Sequence, residues 1–215
     1  MLSLIFILIT ILSLVFFYLG TGRNRRVLFL SVILLILTGV LAYSGFFENT
    51  ETKPPRFLLV IFSGILMATY FYKVVRKDCL NYSMLLAVHI LRIPVELVLY
   101  QLFLRKLIPE LMTFTGYNFD ILVGISALIV FVYLLITRNK LPKLFVILWN
   151  SVGILFLTII VVIAILSSPL PIQQFAFNQP NIALLKFPYI YLPAYIVPVV
   201  YLSHILSIRN EISQK

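Results

Sequence analysis

The residues HILRIPVELVLYQ (89–101) place His89, Arg92, Glu96, Tyr100 and Gln101 inside an otherwise apolar run. At 100° per helical residue, His89, Glu96 and Tyr100 fall within about 40° of one another, and Arg92 about 60° to one side. The result is one polar stripe, about 16 Å long at 1.5 Å per residue. An ionisable residue in such a run marks a functional site by default, because it is costly in lipid and must face a partner or a cavity. Arg92 and Glu96 are four apart and can pair along the helix. Pro94 between them removes a backbone hydrogen bond near residue 90, and a kink there opens space beside the stripe.

Candidate partners come from two later apolar runs. Asn150 follows Trp149 in one of them, and Tyr195, Tyr201 and His204 lie in the last. Together with His89, Arg92, Glu96 and Tyr100 they form the expected site. The leading expectation is binding or translocation of a small polar or anionic solute, or of protons. The second is a membrane-embedded redox protein or enzyme, with His89 and His204 as axial haem ligands. The third is a non-catalytic subunit of a membrane complex, its stripe paired with another chain. Plainer readings compete at each position. Arg92 and Glu96 can be a buried pair that locks packing, Asn150 an interhelical hydrogen bond, and the tyrosines interfacial anchors.

The histidines, His89 and His204, fall one short of the three ligands of a usual zinc site. Walker A, HExxH, GxSxG and paired-aspartate patterns are absent, so no reaction is assigned. The last run has no interior lysine for a retinal Schiff base.

The elements that must position these groups are set by composition. Of 215 residues, 62% are apolar and 11% charged, and the mean hydropathy is +1.09. A soluble domain carries about 25% charge and has no place for so much apolar surface. Seven apolar runs stand out, at 2–20, 27–47, 57–72, 82–104, 119–137, 144–167 and 187–208. Each suits a helix crossing a hydrocarbon core about 30 Å thick. Strands of a barrel would be about 10 residues long and would alternate in polarity. The expected fold is therefore an all-α integral membrane protein, one seven-helix transmembrane domain over 1–215. The last run carries Pro188 at its start and Pro193 and Pro198 in its interior, which should break or bend it.

Charge sets the direction. Odd-numbered connections and the C-terminal tail hold Arg23, Arg25, Arg26, Lys73, Arg76, Lys77, Arg138, Lys140, Lys143, Arg209 and Lys215. Even-numbered connections hold Lys53, Arg56, Arg105, Lys106 and Lys186, with four of the seven acids. The positive-inside rule then predicts an external N-terminus and a cytoplasmic C-terminus in the cell membrane. Asn118 and Asp120 are expected at the outer boundary of the fifth segment. The 168–186 connection is a candidate functional loop or a plain connector. A removable signal peptide is not expected, since no positive region precedes the first run. The net charge of +10 reads as orientation and not as nucleic-acid binding, because no basic face with interleaved aromatics exists. Cys79, the single cysteine, excludes an internal disulfide and is a candidate for palmitoylation beside Arg76 and Lys77. The expected partners are the bilayer, a small solute or proton, and another membrane protein or a second copy.

Overall fold

A computed structural model of the chain describes residues 1–50, 52–75 and 80–213, and Cys79 lies outside them. Among the described residues there are helices and no strands. The helices are α1 (Leu2–Gly20), α2 (Arg25–Tyr43), α3 (Phe57–Val74), α4 (Tyr82–Ile90), α5 (Arg92–Leu104), α6 (Asp120–Thr137), α7 (Lys143–Leu166) and α8 (Val197–Ser213). With α4 and α5 taken as one span, and α8 with the turn before it as another, seven are long and apolar enough to cross a membrane.

The buried positions explain the packing. In α1 they are Leu2, Phe6, Ile9, Thr10, Ser13, Phe17 and Gly20, mostly three and four apart, so one narrow stripe faces inward. Leu4, Leu8, Ile11 and Val15 on its other sides are exposed, as a lipid-facing surface allows. The α4–α5 span and the last span are different. Each is buried over 61% of its apolar window, against 28–33% for the other five. These two form the centre of the bundle, and the polar stripe sits on one of them. Around them, α8 packs on α7, α3 and α4, while α6 packs on α4 and α5. Gly124 lets α6 approach closely, since a Cβ there would sit 2.9 Å from Ile93 Cγ1.

The boundaries at 2–20 and 82–104 agree with the apolar runs; one helix ends early, and two spans are interrupted near their prolines. The second helix stops at Tyr43 and not at 47, because Gly45 takes φ +76° and turns the chain back. The fourth span breaks at Leu91 between α4 and α5. Pro94 has no N–H for the Ile90 carbonyl, which accounts for the kink expected from the sequence. The last span opens later than 187, with a π-helical turn over Leu192–Ile196. Pro193 lies in that turn and Pro198 leaves the Ala194 carbonyl without its helical donor, so regular winding begins only at Val197.

The connection 105–119 departs most from expectation. Instead of staying at the end of the bundle, it doubles back along α5. Phe114 stacks on Tyr100, with ring centroids 4.9 Å apart. Asn118 meets Glu96, and Asp120 meets Arg92. From residue 100 to 92 this descent covers about 12 Å of helix rise. Irregular backbone at that depth is tolerated where protein covers it, and here the 168–186 connection helps to cover it. The backbone N–H groups of Ile182 and Ala183 donate to the Leu107 carbonyl, and the Gln179 side chain donates to the carbonyls of Phe103 and Ile108.

Candidate functional site: a buried ionic cluster under an apolar cavity

The break at Leu91 sets His89 at the end of α4 and Arg92 at the start of α5. Both side chains are buried, at 1% and 4% exposure. His89 lies flat on His204 of α8, with ring centroids 3.9 Å apart and planes 25° from parallel. Trp149 of α7 meets His89 edge-on at 5.4 Å and donates its indole N–H to Ser126 Oγ at 3.0 Å. Neither ring nitrogen of His89 has a hydrogen-bond partner, so His89 contributes through its faces.

His204 is held at both nitrogens. Arg92 Nη2 lies 3.2 Å from Nε2, and Asn150 Oδ1 lies 2.8 Å from Nδ1. A guanidinium only donates, so Nε2 accepts and the proton sits on Nδ1, where it is donated to Asn150. Asn150 Nδ2 in turn donates to the Val146 carbonyl at 2.7 Å. These partners fix a neutral imidazole in one tautomer. Asn150 thus acts as interhelical glue, the plainer of its two readings.

The carboxylate partner of Arg92 is Asp120, at 3.4 Å from Nη1 to Oδ1, and not Glu96 as the four-residue spacing suggested. Glu96 instead accepts from Asn118 Nδ2 at 2.7 Å through Oε1. The Asn118 Oδ1 accepts from the Asp120 backbone N–H at 3.1 Å, an Asx-type turn that satisfies the first N–H of α6. Asn118 and Asp120 are therefore core members of the site rather than boundary residues. No spacing rule reveals this, because the doubled-back connection brings them in; the signal available is an Asn and an Asp two apart at the start of an apolar run.

The other expected residues divide. Tyr201 donates its hydroxyl to Thr158 Oγ1 at 2.9 Å and lines a cavity next to the cluster. Tyr100 packs on Phe103 and Phe114. Tyr195 is fully buried in the main apolar core, its hydroxyl toward Ser31 of α2. Neither Tyr100 nor Tyr195 has a hydrogen bond or ring contact with the cluster.

The axial-haem arrangement of His89 and His204 does not fit this geometry. A macrocycle must lie between axial ligands whose nitrogens point at one iron. Here the two rings are in face contact and both His204 nitrogens are engaged. Among the described residues no group of three or more His, Cys, Asp or Glu side chains is placed to hold a metal ion.

A cavity of about 370 Å³ lies between α3, α5, α7 and α8. Its polar residues are Thr69, Glu96, Asn118, Asp120, Asn181 and Tyr201, and apolar side chains supply nearly all the rest. Glu96 is 2% exposed, and its second oxygen, Oε2, is buried without a hydrogen-bond partner. An orphaned carboxylate oxygen in low dielectric is costly.

The class that fold and site define is an all-helical bundle with seven membrane-length helices, built around a central cluster of two histidines, one arginine and two carboxylates. The chain belongs to the family described as a domain of unknown function (DUF8737), whose model matches residues 55–210 and so takes in every member of the cluster. No curated protein and no solved structure matches the chain.

Proposed function

We propose that the chain is a cell-membrane protein that binds a small, mainly apolar ligand in the cavity above Glu96 and Asp120. The observation that carries this reading is the conjunction of the free Glu96 Oε2 with an apolar cavity of about 370 Å³. That volume is at the low end of the roughly 300–1,000 Å³ of small-molecule sites, which combine apolar walls with a few placed polar groups. The apolar walls favour an apolar body over the fully polar or anionic solute expected from the stripe alone.

The test is extraction of the purified protein. Protein isolated in mild detergent and opened with organic solvent should release one small molecule in near-stoichiometric amount, detected by mass spectrometry. The Ala164→Phe variant, which fills the cavity from α7, should release little or none. Identical extracts from the two folded proteins would sink the binding reading.

The proposed orientation has the N-terminus outside and the C-terminus in the cytoplasm. Its support is the concentration of basic residues in alternate connections. A fluorescent protein that matures only in the cytoplasm should be bright when fused after Arg26, Lys140 or the C-terminus, and dark near Thr52 or Thr115. A dark C-terminal fusion that is well expressed reverses the assignment.

A further inference from the structure

We infer that the cavity takes a single-chain amphiphile with an ammonium head, admitted sideways from the bilayer between α3 and α7; the inference rests on the binding reading above. Three observations carry it.

The first is the position of the mouth. α3 and α7 each pack on α8, and the cavity occupies the interval between them. Ile65 on α3 and Ile205 on α8 both line the cavity, yet are 56% and 40% exposed, so they form its rim. Ile65 lies eight residues into α3, about 12 Å along a helix of about 27 Å. A rim halfway along a membrane-length helix opens to hydrocarbon and not to water. What enters there must be soluble in lipid.

The second is the sign of the floor. Within the cluster one guanidinium, Arg92, faces two carboxylates, Asp120 and Glu96. His204 is held neutral by its partners. The formal balance with both acids ionised is one negative charge, and the carboxylate without a cation is Glu96. Its Oε1 is engaged by Asn118, while Oε2 is free. An ammonium group supplies both the missing charge and a donor. A carboxylate or phosphate head would meet two acids of its own sign.

The third is the shape. Ala68, Val161 and Pro198 line the cavity together with Ile65 and Ile205, and the polar lining residues are outnumbered by apolar ones. Such a lining suits a hydrocarbon chain. A volume of about 370 Å³ holds one short chain and not the two of a phospholipid.

The test uses full-length protein in nanodiscs of phosphatidylcholine, titrated with spin-labelled dodecylamine, dodecanol and dodecanoate. Motionally restricted probe in the resonance spectrum reports binding. A saturable restricted component should appear for the amine, at least tenfold tighter than for the alcohol and absent for the acid. Glu96→Gln should weaken amine binding about tenfold or more. Ala68→Phe, in the cavity wall near Ile65, should remove the saturable component for every probe. Equal binding of amine and alcohol, both abolished by Ala68→Phe, would overturn the ammonium assignment while leaving the cavity-binding reading intact. Saturable binding unaffected by both Ala68→Phe and Ala164→Phe would overturn both. Should Glu96→Gln not fold, the comparison of head groups on the parent protein decides the matter alone. Displacement of the amine by phosphatidylethanolamine discs would overturn the single-chain assignment.

Discussion

Replacing Arg92 with methionine should cost about 3–5 kcal/mol of stability, the usual penalty for removing one partner of a buried pair. Arg92 serves three neighbours. It faces Asp120 at 3.4 Å, donates to His204 Nε2 at 3.2 Å, and offsets the charge of Glu96 one turn along α5. Without it, two buried carboxylates stand together with no cation. The double variant Arg92→Met/Asp120→Asn should recover most of the loss, because it removes one charge of each sign. The single-residue variants of the acids should differ. Asp120→Asn strips the arginine of its direct partner and should be clearly destabilising. Glu96→Gln keeps the acceptor for Asn118 and removes a carboxylate with an orphaned oxygen, so it should be neutral or stabilising. A stabilising change at a binding group is the usual relation between stability and function. Trp149, the single tryptophan, packs on both histidines, so its fluorescence during denaturant unfolding in detergent follows the cluster directly. Equal stability of Arg92→Met and the parent would show that the cluster is not charged as described. The opposite ranking of Asp120→Asn and Glu96→Gln would return the ion pair to α5 alone.

Gly153→Ala should be strongly disruptive for a change of one methyl group. A Cβ at this position of α7 would land on the His204 imidazole, against both nitrogens and the carbon between them. The ring is fully buried and pinned between Asn150 and Arg92, so it cannot yield without losing one bond or both. Overpacking of this kind costs about 1–3 kcal/mol, and an unmade buried hydrogen bond adds roughly 1–3 kcal/mol. The cause can be isolated. In a His204→Ala background the methyl group has room, and the penalty of Gly153→Ala should nearly vanish. The coupling between the two changes should then exceed about 1 kcal/mol, within the range for directly touching residues. Additive effects would mean that the glycine serves backbone packing and not the ring.

How much of this was legible in the sequence depends on which physics governs each residue. The spans were legible because lipid demands about 20 apolar residues in a row, and this chain shows that pattern seven times. His89, Arg92 and Glu96 were legible for the same reason, as ionisable exceptions within one run. Of the residues expected to partner the stripe, His204 lies against His89 and Arg92, whereas Asn150 meets His204 and not the stripe. Asp120 was not foreseen as the partner of Arg92. Spacing along one helix makes the i+4 neighbour visible and hides a residue 28 positions away. The doubled-back course of 105–119 is set by contacts with other elements, such as those of Gln179 with Ile108 and of Asn118 with Glu96, and leaves no periodic trace. The prolines foretold irregularity in the last span, but its form, a π-helical turn ending at Ile196, depends on how α8 packs against α3 and α7.

The descent of 105–119 along α5 bears on how the chain reaches the membrane. A segment beginning with Asp120 would carry an unmatched acid into hydrocarbon if it left the insertion machinery alone, at a cost of a few kcal/mol. Its counter-charge, Arg92, is on the segment made just before it. Once the intervening chain folds back against α5, with Phe114 on Tyr100 and Asn118 on Glu96, the two helices form one hairpin in which the arginine and aspartate are matched. Their order along the chain lets each segment remove the other's barrier to insertion during synthesis, before the later helices that enclose the cluster exist.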